Sequence, residues 1–463
     1  MSSDLLPPNH FLNLPRPDIA VGAGGGVVDT TTLAAHDFDV DTRTGFMPPD
    51  PPISRLPVDW EPWEVILEKA MSSNLQLAMK PDLTAEESAR SSSWRADVRN
   101  LPVLPTKNLT ESELLLRRSH HVLTFIMHYY IHTLSLDAEI RIPAPISIPL
   151  LEVSSQLQLP PVATYSDTVL YNWRLRSESD EMTPPALENL RSQDLFTGTN
   201  DEQEFYLASS RIEIRGVEAL ELMRATMDEM FVGDEIAVRR ITTYLHKLAS
   251  VVDELKDILL DVRKGCEPEF FYHSVRPWFR GKDSDPAHRE WVFEGLDEHP
   301  ELEHPTDLSG PSAGQSALIH ALDIFLGLDN CDTETEGSLN VDQRTLLRRM
   351  QIYMPRHHRN FLRHLTANPR PLRNFVLGGD PQLSDAYNDA VRAVKRFRDA
   401  HLVIVAIYII GPASRERSQR EDEQEQQRKL KGTGGTNLMQ FLKGVRDKTA
   451  DAMIPSTPTT PSP

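Results

Sequence analysis

The segment 384–410 constrains the fold of this 463-residue chain more than any other stretch. Its larger residues recur at steps of three and four and therefore share one face of a helix. That face consists of Tyr387, Val391, Val394, Phe397, His401, Val405 and Tyr408. Beyond His401 the sequence LVIVAIYII is apolar all round, which predicts burial on every side. Ser384 is the predicted N-cap, and Gly411-Pro412 is expected to end the helix.

His401 on such a helix allows two interpretations. Buried polar groups normally find a partner, so the ring could be a core histidine bonded to a backbone carbonyl. Alternatively it is an axial ligand, since neutral imidazole binds iron and an apolar sleeve suits a haem. Arg398, three residues earlier, could then meet a propionate carboxylate. Periodicity alone does not decide between the two interpretations.

The remainder of the chain also favours helices, and alternating strand-like runs are scarce. Helical patterns cover 112–134, 205–217, 218–231, 235–264, 316–328 and 438–445. The proline-rich stretch 142–161 is interpreted as extended and irregular, a seam between two domains. We therefore predict an all-α protein with a small N-terminal helical domain and a larger helical domain. The predicted divisions are an irregular extension 1–55, a small domain 56–160, a large domain 161–450 with a charged loop 418–431, and a disordered tail 451–463.

Composition narrows the class of protein. The chain has 68 acidic and 49 basic residues and a formal charge of −19, which argues against nucleic acid or an anionic membrane as partner. Its longest apolar run is short of a bilayer span, and no signal peptide is visible. Two cysteines provide no disulfide framework. These features predict a soluble cytoplasmic protein.

Two blocks predict a ligand pocket. The small residues of 309–316, SGPSAGQS, precede an apolar helix containing Asp323 and let the backbone approach a flat or anionic ligand. Taken alone, this block is better explained as an ordinary helix N-terminus with a turn. Phe271 and Tyr272 followed by Arg276 are typical of a pocket that stacks a ring and binds a carboxylate. Core packing beside a surface arginine is the alternative.

Other histidines and glycines carry weaker signals. His128 and His132 have the spacing of helical metal ligands, but no acidic third ligand accompanies them, so a structural role is predicted. His357 and His358 are interpreted as part of an exposed basic turn. The GTGGT stretch at 432–436 lacks the lysine of a phosphate-binding loop and is typical of a mobile loop that closes over a site.

In this order, the blocks resemble the indoleamine 2,3-dioxygenase family, and its fungal-type members in particular. The matching segments are LPPVATYSDTVLYNW, EFYLASSRIEI, FFYHSVRPW, SGPSAGQSALIHALDIFLGL, YMPRHHRNFLRHL, FRDAHLVIVAIYIIGPAS and KGTGGTNLMQFLKGVR. They span roughly 159–446, with a fainter likeness back to about residue 56. Seven motifs in family order make the resemblance specific.

The resemblance implies an all-α fold with b-type haem in the large domain. It also implies that both atoms of O₂, the co-substrate, are inserted across the indole C2–C3 bond of L-tryptophan. The product would be N-formylkynurenine, the first intermediate of the kynurenine pathway towards NAD. L-tryptophan or a related indoleamine would be the small-molecule partner, and the protein would be a monomer.

The resemblance assigns roles to individual residues. His401 would be the proximal ligand of the haem iron, with Arg398 as propionate partner and Asp323 in the proximal network. The chain close over the haem would be Ser312, Ala313 and Gly314. Substrate-binding residues would be Tyr165, Phe205, Phe271, Tyr272, Arg276 and Thr433, with Ser209, Phe271 and Arg276 in catalytic roles. Arg276 would pair with the substrate carboxylate, and Thr433 would belong to the closing loop.

Two positions depart from the mammalian pattern, and two other functions stay open. Tyr272 replaces a phenylalanine and Thr168 replaces a cysteine, changes that could alter substrate affinity. The first alternative function is a non-catalytic oxygen-binding haem protein on the same scaffold. The second is a haem-free helical interaction protein in which His401 is only core. Arg276, Ser209 and the GTGGT loop favour the enzyme, because an oxygen carrier needs no carboxylate partner.

Overall fold

The computed structural model describes residues 38–177, 185–328, 348–368, 370–377, 379–419 and 438–455, and this part of the chain is mainly helical. The helices are α1 Glu61–Ser72, α2 Ala85–Arg99, α3 Glu113–His132, α4 Ala144–Leu157, α5 Asn200–Arg215, α6 Val217–Val232, α7 Glu235–Asp261, α8 Ala317–Leu326, α9 Arg356–Thr366, α10 Leu372–Leu377, α11 Pro381–Val405, α12 Gly411–Gln419 and α13 Leu438–Asp451. The predicted all-α class is confirmed.

Four short strands make two small pairs within this helical framework. They are β1 Ile140–Ile142, β2 Trp173–Leu175, β3 Leu190–Ser192 and β4 Trp291–Phe293. β1 pairs in parallel with β4, and β2 pairs antiparallel with β3. Each strand has only three residues, so the two pairs connect loops within the helical framework and do not form a separate sheet layer.

Side-chain caps fix where the site-bearing helices begin. Thr199 starts α5 by accepting a hydrogen bond from the backbone N–H of Glu202. Asp234 starts α7 in the same way through the N–H of Ala237, directly after Gly233, whose φ of +69° ends α6. The helices α5, α6 and α7 correspond to the predicted patterns at 205–217, 218–231 and 235–264, with Gly216 between the first two.

The expectation of an irregular seam at 142–161 is wrong, because α4 occupies most of it. Pro143 is the N-cap and Pro145 lies in the first turn, where a missing N–H costs nothing. Pro149 lies inside the helix and removes one hydrogen bond. Ile146 and Leu150 beside it are fully buried, so packing offsets that loss.

The long helix at 384–410 forms, but both of its predicted ends are wrong. Asp380 is the N-cap, accepting from the N–H of Gln382, and α11 therefore begins before Ser384. At its other end a π-helical turn, 406–410, runs directly into α12, so Gly411-Pro412 does not end the helix. In a π-helical turn each hydrogen bond spans five residues instead of four, which changes the backbone hydrogen-bond partners just before the proline. The expected burial on every side is also wrong, since Val403 is 46% exposed.

The helical run Pro381–Glu416 is long and apolar enough, by length and composition alone, to cross a membrane. A core helix of a soluble protein passes the same test. Here Tyr387 and Val391 are fully buried, and α11 packs along α7. The expected absence of a membrane partner remains a prediction.

The hydrophobic core does not divide at the expected domain seam. One continuous cluster includes residues from Leu56 to Ala413 and so crosses residue 160. Phe46, within the predicted extension, is buried in a second cluster. Asn388 pairs through its side chain with both backbone groups of Ile454, so the boundary expected at residue 450 falls inside packed chain. The two-domain division remains a prediction.

Candidate active site

A mainly apolar cavity of about 320 Å³ lies where α5, α8, α11 and the helical turns of 268–279 meet. Its volume is within the range of small-molecule sites. Most of the residues singled out from the sequence line it: Tyr165, Phe205, Ser209, Phe271, Arg276, Ser312, Ala313, Gly314, Asp323, Arg398 and His401. Tyr272 does not line the cavity, and Thr433 lies outside the described residues.

His401 enters the cavity from α11 and forms no hydrogen bond with any residue that the structure describes. Burial, and to a smaller extent the charge of Arg398, lower the pKa of His401 to about 4. The imidazole is therefore neutral at pH 7, with lone-pair density for a ligand. A core histidine would be expected to have a carbonyl partner, and none is present in the described part of the chain.

A second histidine in the cavity, His320 of α8, was missed by the sequence analysis. Its Nε2 lies 2.9 Å from the carbonyl oxygen of Gly314. This nitrogen is therefore occupied by the backbone, in contrast to the ring of His401. No periodic signal distinguishes the two residues, because both lie on apolar helices.

Arg398 lies one turn before His401 and is held by α8 and α13. Its Nη2 is 2.6 Å from each carboxylate oxygen of Asp323. Its Nη1 donates to the hydroxyl of Thr449. The pair places a fixed guanidinium in the cavity wall, which is the chemistry that a ligand carboxylate requires.

Aromatic rings form another part of the cavity wall. The rings of Phe205 and Phe271 are 4.3 Å apart between centroids, and Tyr408 meets Phe271 edge-on at 5.7 Å. The hydroxyl of Tyr408 donates to the carbonyl of Cys266 at 2.6 Å, which ties α11's π-helical extension to the turn that carries Phe271. Such rings can bury a flat apolar ligand.

Arg276 is a buried cation at the edge of these aromatics. Burial, together with the charge of Arg280, lowers the pKa of Arg276 to about 10, so the group is still protonated at pH 7. Its guanidinium lies 5.5 Å from the ring centroid of Tyr272. Tyr272 therefore packs beside Arg276 while Arg276 lines the cavity.

The turn that carries Tyr165 is held by a buried carboxylate. Asp167 accepts hydrogen bonds from both the N–H and the hydroxyl of Thr164 at 2.8 Å, and His120 of α3 contacts its other oxygen at 2.8 Å. Thr168, one of the departures from the mammalian pattern, lines the cavity one residue further on. Its hydroxyl donates back to the carbonyl of Thr164 at 3.2 Å.

The segment 311–314 lines the cavity, and Gly310 just before it packs directly against the backbone of Phe279. A Cβ on Gly310 would lie 1.8 Å from the carbonyl oxygen of Phe279, so only glycine fits there. Ser312 then caps a short turn through the N–H of Gly314 at 3.2 Å. Gly310 therefore lets two stretches of backbone pack together, and the predicted approach of 312–314 to a ligand remains a prediction.

Outside the cavity, histidines of α3 have structural contacts. His128 and His132 contact the carbonyl oxygens of Trp278 and Arg280 at 2.7 and 3.0 Å, as predicted. The expectation of an exposed turn at His357-His358 is wrong, because both lie in α9 and His358 is fully buried. Within the described ranges, no group of three or more His, Cys, Asp or Glu residues could hold a metal ion.

Comparison with known proteins gives a consistent result. The sequence profile described as "Indoleamine 2,3-dioxygenase" matches residues 34–452. Indoleamine 2,3-dioxygenase 1 of Mus musculus is 30% identical over 90% of this chain and 95% of the mouse protein. Indoleamine 2,3-dioxygenase of Saccharomyces cerevisiae is 33% identical over 72% of this chain and 77% of the yeast protein. The 6-hydroxytryptophan 2,3-dioxygenase of Fusarium equiseti is 30% identical over 92% of this chain and 99% of that protein.

The match covers nearly the whole chain and includes the cavity, and these relatives support a dioxygenase activity on indoleamines. It begins well before residue 56, earlier than the likeness seen in the sequence motifs. The chain belongs to the indoleamine 2,3-dioxygenase family.

Proposed function

We propose that this protein is a haem-dependent dioxygenase that cleaves the indole C2–C3 bond of L-tryptophan with O₂ and yields N-formylkynurenine. One observation carries the proposal: a neutral imidazole, His401, lines an apolar cavity without a hydrogen-bond partner among the described residues. The same cavity is lined by two aromatic rings in close, tilted contact and by a buried arginine.

The residues present fit a haem. His401 would hold its iron, Arg398 would face a propionate, and Ser312, Ala313 and Gly314 would lie against the ring. A bound haem would supply the dioxygen chemistry. Asp323 holds the Arg398 guanidinium in place, which reduces the side-chain entropy lost on binding a carboxylate.

The chain's own residues would bind and orient the substrate. Burying an indole between Phe205 and Phe271 contributes about 1.5–3 kcal/mol, as for other large apolar side chains. Arg276 would bind the substrate carboxylate through a charge-assisted pair, which is stronger where water is excluded. Ser209 supplies a hydroxyl near the bound ligand, and Thr433 would belong to a closing loop. We assign no distal acid or base, so the pocket acts mainly by orientation.

Tryptophan is the proposed substrate, although one relative is named for 6-hydroxytryptophan. The hydroxyl of Thr168 donates to the carbonyl of Thr164, so toward a hydroxylated indole it could act only as an acceptor. The cavity lining is mainly apolar, and we therefore expect the unsubstituted ring to be preferred. The two-domain organisation, monomeric state and cytoplasmic location are further proposals.

The test is turnover by reduced, haem-loaded protein. L-Tryptophan or 6-hydroxytryptophan is supplied with isotopically labelled O₂, and the products are identified by mass spectrometry. We expect N-formylkynurenine with both labelled atoms and a higher kcat/KM for tryptophan. Haem and O₂ binding without any product from either amino acid would support the non-catalytic oxygen-binding alternative.

A further inference from the structure

A buried carboxylic acid, Glu213, lies directly behind the cavity wall. It is on α5, four residues after Ser209 and eight after Phe205, and these spacings place all three on one face of the helix. Its side chain is buried, with 1% of the residue exposed. Glu213 lies within the segment EFYLASSRIEI, but the resemblance assigns it no role and the proposed chemistry does not use it.

The contacts of Glu213 join two separate parts of the cavity wall. Oε1 accepts a hydrogen bond from the hydroxyl of Tyr165 at 2.9 Å and another from the hydroxyl of Ser316 at 2.7 Å. Both donors line the cavity. Oε2 is buried and has no hydrogen-bond partner in the described part of the chain.

The charge state follows from these surroundings. No Lys, Arg or His within the described residues forms an ion pair with Glu213, and Tyr165 is the only titratable group that it contacts there. A buried, unpaired carboxylate is costly, so the neutral acid is favoured. Burial raises the pKa of Glu213 to about 7, and the bonds from Ser316 and Tyr165 offset only part of that effect.

Tyr165 is held at its other end as well. Its backbone N–H donates to Oε1 of Gln315 at 2.8 Å, and the amide of Gln315 donates to the carbonyl of Gly310 at 3.0 Å. Loss of the Glu213 carboxyl would therefore release the phenol while the backbone stays anchored. A variant at this position is expected to fold, with a misplaced Tyr165 side chain.

We propose that Glu213 is a positioning residue of the substrate pocket: as a neutral acid it fixes the hydroxyls of Tyr165 and Ser316 and so preforms the wall on which the indole binds. This inference rests on the proposed function, because the effect is read through substrate binding. Glu213 acts through Tyr165 and does not line the cavity itself.

The first experiment compares two substitutions in haem-loaded protein. In Glu213→Leu both hydroxyls lose their acceptor, and we expect KM for L-tryptophan to rise roughly tenfold with a smaller change in kcat. In Glu213→Gln the amide oxygen can accept both hydroxyls, and we expect KM to stay within about threefold of wild type. Equal defects in the two variants would show that the anion is needed and would overturn the proposal. A wild-type KM in Glu213→Leu would reduce Glu213 to a structural residue and would also overturn it.

A matched control is available on the same helix. Glu202 is also a buried glutamate of α5. Its Oε2 accepts from the N–H and the hydroxyl of Thr197, away from the cavity, and its Oε1 accepts from the N–H of Phe196 and from the hydroxyl of Tyr206, which lines the cavity. Glutamine is the control substitution because its amide oxygen can keep the Tyr206 bond while the Thr197 contacts are lost. Glu202→Gln is expected to lower the unfolding midpoint without changing KM. If it raised KM as much as Glu213→Leu does, the effect would be general to buried acids on α5, and the proposal would fail.

Two further readouts separate this inference from the proposed function. If Glu213 acts through Tyr165, the double variant Glu213→Leu/Tyr165→Phe should be no worse in KM than the more defective single variant; multiplicative defects would contradict the link. In the infrared difference spectrum of substrate-free wild type minus Glu213→Gln, recorded below neutral pH, the carbonyl band of a protonated carboxylic acid should remain. Absence of that band from the difference spectrum would contradict the assignment of Glu213 as a neutral acid. Absence of tryptophan turnover with the band intact counts against the proposed function alone.

Discussion

The ion pair between Arg398 and Asp323 is expected to stabilise the protein far more than a second pair on the same helix. Arg398 contacts both oxygens of Asp323 at 2.6 Å, and the two side chains are 12% and 15% exposed. Two residues earlier, Arg396 contacts both oxygens of Asp253 at 2.9 and 2.6 Å, with side chains 47% and 32% exposed. The geometry is similar and the burial differs.

The magnitudes follow from that difference in burial. Removing one partner of a buried pair costs about 3–5 kcal/mol, because the other charge is left uncompensated. The slight exposure of this pair favours the low end, so we expect Asp323→Ala to cost about 3 kcal/mol. An exposed pair contributes about 0.2–1 kcal/mol, which is the expected cost of Asp253→Ala.

The assay is urea unfolding of haem-free protein, so that ligand binding does not add to the free energy of unfolding. Each variant is compared with wild type at the same ionic strength. Equal costs for Asp323→Ala and Asp253→Ala would refute the view that α8 and α11 are joined by a desolvated pair at the cavity wall. A large loss of unfolding free energy in Asp253→Ala alone would also contradict that view.

Two more predictions concern the substrate arginine and a buried histidine. Arg276→Ala should raise KM for tryptophan far more than it lowers haem content. Arg276→Lys should recover only part of the affinity, because a point charge replaces a bidentate group. Steady-state kinetics and the haem absorbance measure the two effects, and an unchanged KM would exclude the carboxylate contact. Burial lowers the pKa of His358 to about 4, below the value of about 6.5 in an unfolded chain. The unfolded state therefore binds more protons between these values, and stability falls as pH drops from about 6.5 to about 4. Between pH 7 and pH 5 this residue should lower the free energy of unfolding by about 2 kcal/mol. Urea titrations of His358→Phe at the two pH values should no longer show that loss. An unchanged pH dependence in the variant would contradict a buried neutral ring at His358.

The sequence predicted the parts of the molecule that depend on local periodicity. The face from Tyr387 to Tyr408, along α11 and its π-helical extension, is visible as a spacing of three and four, and the helices around it follow from the same pattern. The prediction of an irregular segment at 142–161 was wrong because packing around Ile146 and Leu150 offsets an internal proline. A local sequence pattern does not show such packing. The prediction that the helix ends at Gly411-Pro412 was wrong because a π-helical turn precedes these residues.

The site residues also fall into two groups, those that the sequence predicted and those that depend on tertiary contacts. Motif resemblance pointed to the cavity-lining residues, but the roles of His320 and Glu213 depend on contacts with distant segments. His320 meets Gly314 and Glu213 meets Tyr165 only after folding. His358 was expected to be exposed because its neighbours are basic, yet Arg356 pairs with Glu113 of α3 and the helix buries the ring.

The measurement that tests the account most directly is the absorption spectrum of haem-loaded protein with each cavity histidine replaced in turn. His401→Ala should lose the Soret band of stably bound haem, because His401 is the cavity histidine without a hydrogen-bond partner among the described residues. His320→Ala should keep that band, because its Nε2 is bonded to the carbonyl of Gly314. Wild-type haem content and spectrum in His401→Ala would contradict the proposed iron ligand and with it the function assigned to the cavity.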